Sequence, residues 1–146
     1  MAITGFTPDV QDSRTYKLPY YGVTVSTVAT AAAVTFAATE VLGGLILRDP
    51  AGAGRADLLP TANAIINAIN GPFVGLAFEF TIRNTADAAE TITVTTNTGL
   101  TLSGTMTIAQ NNSKRFLALI TAIGGQNGVA VGADAITVYS LGTVVH

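Results

Sequence analysis

The chain has 146 residues, of which 49% are hydrophobic and only 11% are charged, against roughly a quarter charged in ordinary soluble domains. That length fits one domain with a single core. The net charge of −2 lacks the clustered cations that a nucleic-acid surface needs to displace counterions. The absence of cysteine excludes disulfides, thiolate catalysis and cysteine-ligated metals.

No run of about 18 apolar residues suggests a membrane span. Met1-Ala2-Ile3-Thr4 has neither a basic n-region nor an apolar h-region, so no signal peptide is expected. An apolar, weakly charged surface must then be covered some other way. Large exposed apolar patches are poorly tolerated on soluble monomers, and other subunits are the expected cover.

Residues 1–21 read as an extended arm. They carry Pro8, Asp9, Asp12, Arg14, Lys17 and Pro19 and show neither helical nor strand periodicity. Extended, the first twenty residues reach about 65 Å at about 3.3 Å per residue. Phe6, Tyr16, Tyr20 and Tyr21 are candidate anchors on a neighbour, because aromatic side chains dominate interface energy. A frayed terminus is the plain alternative.

Gly22–Thr30 alternates β-branched residues and predicts a strand. Residues 33–38 predict another, with Val34 and Phe36 inward; a helix over 29–42 competes with it. Gly43-Gly44 predicts a turn, Leu45-Ile46-Leu47 a short buried strand, and the Pro- and Gly-rich residues 49–54 a loop. Ala62, Ile65, Ile66 and Ile69 fall at i, i+3, i+4 and i+7, which predicts a helix over about 61–70. Thr61 is its N-cap, Gly71 its C′ residue, and Pro72 blocks continuation.

From Val74 the period becomes two. Val74, Leu76, Phe78, Phe80 and Ile82 share one face, and Ala77, Glu79, Thr81 and Arg83 the other. Glu79 and Arg83 are expected to pair across strands. Residues 84–89 turn the chain, 91–95 point Ile92 and Val94 inward, and 100–108 alternate with a bend at Ser103-Gly104. Residues 114–121, apolar on both faces, predict a central strand. Residues 122–134 read as a glycine-rich loop and 135–141 as the closing strand. Strands recurring every 8–12 residues predict an all-β fold. The expected architecture is an antiparallel β-sandwich, jelly-roll-like, spanning 22–146 with one short helix.

Catalytic parts are missing. His146 is the lone histidine and the last residue, so Ser-His-Asp and histidine metal sites lack their components. Gly52-x-Gly54 lacks a third glycine, and no Gly-Lys-Ser/Thr occurs. No cofactor is expected. Asp49, Asp57, Glu79, Asp87 and Glu90 offer carboxylates for glycoside hydrolysis, but Asp49 beside Arg48 and Asp57 near Arg55 read more simply as loop ion pairs. These four residues are candidate subunit or partner contacts, since bidentate Arg–carboxylate pairs fix register. Lys114-Arg115 reads as solvated strand-end charge.

Gly44–Pro50, Leu59–Ala62 and Phe78–Thr85, continuing through Gly99–Thr105, Asn111–Phe116 and Val138–Gly142, resemble small structural proteins of tailed-phage virions. The similarity is to capsid decoration (cement) proteins and covers roughly residues 43–142. It implies a non-enzymatic homotrimer, made in the host cytoplasm, that binds the major capsid protein on the outer shell and stabilises it. Neither nucleic acid nor membrane would be a partner. A fibre or receptor-binding module for host glycans is the alternative, with Tyr139 and the 122–134 loop as its candidate platform. A major shell-building subunit is disfavoured by the short length.

Overall fold

The computed structural model describes residues 22–146. These residues form a mainly β fold, in two mixed sheets with two short helices. In chain order the elements are β1 (Thr24–Ala29), α1 (Ala38–Gly43), β2 (Gly44–Asp49), β3 (Arg55–Leu58) and α2 (Ala62–Ala68). There follow β4 (Ala77–Asn84), β5 (Ile92–Thr95), β6 (Leu100–Ser103), β7 (Thr107–Ile108), β8 (Asn112–Ala122) and β9 (Ala135–Val145).

The six-stranded sheet has the order β1-β2-β4-β8-β9-β6, and the three-stranded sheet the order β3-β5-β7. The expectation of purely antiparallel strands is corrected. β1 with β2, β2 with β4, β3 with β5 and β6 with β9 are parallel; only β4 with β8, β8 with β9 and β5 with β7 are antiparallel. The cause is the connections. A parallel return needs a crossover, and α1 lies within the one from β1 to β2. The crossover from β2 to β4 contains β3 and α2.

The helix expected from the isoleucine spacing forms as α2. Thr61 Oγ1 accepts the Ala64 N–H at 3.1 Å, and Ala62, Ile65 and Ile66 are buried. It stops at Ala68, with Ile69 as its C-cap. Residues 33–38 are not the strand expected. Thr35 makes a single parallel bridge to Leu58, and α1 begins at Ala38. Glu40 Oε2 accepts the Ala37 N–H at 2.7 Å and satisfies a free donor where α1 starts. At the other end Gly44, with φ +96°, takes the left-handed turn that releases the chain into β2.

β4 and β8 carry the alternation read from the sequence. Phe80 and Ile82 on β4 and Phe116, Ala118 and Ile120 on β8 are buried, and the rings of Phe80 and Phe116 stack at 5.1 Å. One core joins these residues to Ile92, Val94 and Ile108 of the smaller sheet and to Phe36, Val41, Leu59 and Ile65. β8 is interior, as expected. β9 was expected to close the sheet, yet it lies between β8 and β6. The bend at 103–104 is sharper than expected, because β6 and β7 fall in different sheets. Gly104, at φ +97°, permits it, and a Cβ there would run into Ser140 Oγ.

Candidate interaction surface

Phe6, Tyr16, Tyr20 and Tyr21 lie outside the described residues. The other sequence candidates sit where the two sheets meet. Arg48 is on β2 of the larger sheet and Asp57 on β3 of the smaller, and both side chains are 0% exposed. Arg48 Nε donates to Asp57 Oδ2 at 2.7 Å and Nη2 to Oδ1 at 3.2 Å, a bidentate pair. Nη2 also donates to Ala32 O at 2.8 Å, while Nη1 donates to Thr30 O and Asp49 O. Asp57 Oδ1 in turn accepts the Val34 N–H at 3.0 Å. One ion pair therefore ties both sheets to the segment that leaves β1.

The sequence-local pairs are corrected accordingly. The Arg48 guanidinium pairs with the carboxylate of Asp57 and meets Asp49 only at its backbone carbonyl, because neighbouring side chains on a strand point to opposite faces. Asp49 Oδ1 accepts the Ala51 N–H at 2.9 Å, and Arg55 Nε donates back to Pro50 O at 3.3 Å, so both shape the 50–54 loop. Contact with a neighbour through Arg48 and Asp57 is corrected too. Neither side chain has exposed surface, and their bonds are spent inside the chain.

Three more buried polar groups, Asn84, Glu90 and Lys114, were not expected inside the fold. Asn84, expected in a turn, ends β4 fully buried. Its Nδ2 donates to Glu90 O at 2.7 Å and Ile108 O at 3.0 Å, and its Oδ1 accepts the Ala86 N–H at 3.0 Å. Glu90 is buried and accepts the Gly52 N–H at 2.6 Å. Lys114 is buried as well, against the expectation of solvated charge. Its Nζ donates to Thr105 O at 2.7 Å, and desolvation holds its pKa below the usual lysine value of 10.5. The signal for Lys114 was present in the sequence: it shares a strand face with Phe116, Ala118 and Ile120.

Removing these four charges from the surface leaves it poorer still. Charge outside the core is carried only by Glu40, Asp49, Arg55, Glu79, Arg83, Asp87, Arg115 and Asp134 among the described residues. Glu79 does pair across strands, with Arg115 on β8 at 3.6 Å, an exposed and diagonal contact. This pair lines a groove of about 630 Å³ where β1 and β2 begin, walled by Gly22, Val23, Leu45 and Phe78. A smaller depression of about 300 Å³ lies across the sheet, between Thr81, Arg115, Leu141 and Val144.

No three His, Cys, Asp or Glu side chains cluster at metal-binding spacing among the described residues. Ser113 Oγ lies 2.8 Å from His146 Nε2, a link between the ends of β8 and β9, and the His146 N–H donates to Asn111 O at 2.9 Å. Among the described residues no helix is long and apolar enough to cross a membrane. Tyr139 is exposed on β9, opposite Leu117. The adjoining loop 123–134 is clasped at its base, where Asp134 accepts the Gly124 N–H at 2.8 Å and the Asn63 amide at 2.7 Å.

Comparisons with protein-family models, with curated proteins and with solved structures find no match to this chain.

Proposed function

We propose that the chain is a non-enzymatic virion structural protein, a capsid decoration (cement) protein that assembles as a homotrimer on the outer shell of a tailed phage and stabilises it. The observation that carries this reading is the bareness of the surface. Arg48, Asp57, Glu90 and Lys114 are buried, while Val23, Val25, Phe73, Val74, Leu141, Val144 and Val145 are exposed. Such a surface is suited to burial against copies and partners. The two-sheet body would take the place of the jelly-roll-like sandwich expected of such proteins. The aromatic residues of 1–21 would supply contacts to the shell's major capsid protein, and repetition over a shell would add avidity.

The test is cosedimentation of the purified protein with heads of the parent phage assembled without it. Saturable binding with a rise in head melting temperature is expected. Heads that neither bind the protein nor gain stability would refute the reading.

A second reading, a glycan-binding fibre module, draws on exposed Tyr139, since an aromatic face is a common sugar platform. A glycan array separates the two, because a cement protein is expected to bind no sugar.

A further inference from the structure

Besides the outer edge of the four-residue β6, the six-stranded sheet leaves two longer stretches of strand backbone without a strand partner among the described residues. The first is the outer edge of β1, the terminal strand of the sheet. Its 6 residues, Thr-Val-Ser-Thr-Val-Ala, contain no charge and no proline, and its register against β2 runs without a bulge. The second is the distal part of β9. β6 pairs only with Ile136–Tyr139, so Ser140–Val145 has β8 on one side and no described strand on the other. That stretch also lacks charge and proline, and it matches β1 in length. Natural proteins guard exposed edges with charges, prolines or bulges, because unpaired N–H and C=O groups recruit other strands. β1 has none of these guards. The distal β9 has only the irregularity at Leu141. Exposed apolar side chains flank both, Val25 at 53% on one and Val144 at 59% and Val145 at 76% on the other.

We propose that a second copy of this chain lays its β1 edge along the bare 140–145 edge of β9, head to tail, so that the sheet continues from copy to copy. This rests on the trimer reading above and names its contact. Strand direction supports it: β1, β2 and β4 run one way, β8 the other, and β9 again with β1. A rotation about an axis along the strands preserves that direction and makes the new pairing parallel. Head-to-tail contacts close into a ring where the rotation between copies closes, and run on as a filament where it does not; the trimer reading takes the closed case. A two-fold contact of β1 with β1 would leave 140–145 bare, whereas the head-to-tail contact covers both of these six-residue stretches with one repeated interface and leaves only the short β6 edge open. Neither edge carries a charge to oppose the other. A standard interface takes roughly 800 Å² from each partner, about a tenth of the 7983 Å² that this chain exposes, and each copy in a ring gives up that much at each of its two contacts.

The experiment uses the full chain and two single variants at exposed positions, Val25→Lys and Val144→Lys. Far-UV circular dichroism and melting temperature first establish that each is folded. Sedimentation velocity then gives the mass. Each variant alone is expected to be monomeric, because one edge of every contact is charged. An equimolar mixture is expected to give a dimer, since the intact β1 of Val144→Lys still meets the intact β9 of Val25→Lys. Either folded variant keeping the wild-type mass, or a mixture that stays monomeric, overturns the contact. A trimer that survives both substitutions leaves the decoration reading standing, to be decided by head binding. A monomeric wild type, as when residues 1–21 cover β1 within one copy, overturns the contact and the trimer together.

Discussion

Arg48 and Asp57 form a bidentate ion pair at 2.7 Å with no solvent exposure, joining a strand of the larger sheet to a strand of the smaller. Breaking a buried pair from one side leaves an uncompensated charge and costs about 3–5 kcal/mol. Arg48→Met is therefore expected to lose stability on that scale in urea unfolding. The double variant Arg48→Met/Asp57→Leu is expected to recover only part of it. Replacing both partners removes the stranded carboxylate, but the carbonyls of Thr30, Ala32 and Asp49 still lose their donor. A double variant as stable as wild type would contradict that account.

Asn84 bridges the sheets by hydrogen bonds alone. Asn84→Asp is expected to destabilise more than Asn84→Ala, because it replaces the donors to Glu90 O and Ile108 O with an acceptor facing two carbonyls. Each buried group left unsatisfied costs about 1–3 kcal/mol. Parallel urea titrations of the two variants give the order directly.

Lys114 links stability to pH. Its folded pKa is lowered by desolvation, so between that value and 10.5 the unfolded chain binds more protons than the native one. Stability contributed at this site therefore rises with pH through that window and is lowest below the folded pKa. The stability of wild type relative to Lys114→Met is expected to improve as pH climbs towards 10.5, measured as a difference so that tyrosines cancel. A pH-independent difference would show that burial does not penalise this ammonium.

Gly99→Ala tests a turn. Gly99 has φ +79°, and an added Cβ would lie 2.6 Å from the Asp134 backbone O, just before β9, and 2.7 Å from the Ala62 Cβ at the start of α2. The left-handed conformation alone costs an L-residue about 1–2 kcal/mol, and the crowding adds to it. A loss of at least that size is expected in thermal unfolding. By contrast Glu79→Ala, at the exposed pair with Arg115, is expected to change stability by under about 1 kcal/mol.

How much of this was legible in the sequence follows from the range of each signal. The face of α2 was, because Ala62, Ile65 and Ile66 report one helical stripe. So were the alternation of β4 and the interior place of β8, because period and two-sided apolarity are local. Parallel pairing was not legible, since strand order depends on where crossovers land. The switch of Arg48 from Asp49 to Asp57 lay equally out of reach. It depends on β3, four residues long and paired in parallel with β5, a strand more than thirty residues later. The inward turn of Lys114 was legible and was outweighed by the expectation that lysine stays wet. Asn84 lacked any local sign, since an asparagine after a strand reads as a turn residue whether it is exposed or buried.

The most direct test of the account is the native mass of the full chain by sedimentation velocity. The account predicts a single species of three times 14.9 kDa that persists on dilution. A well-behaved monomer would contradict it, because the bare strand edges and sparse surface charge would then face water in every copy.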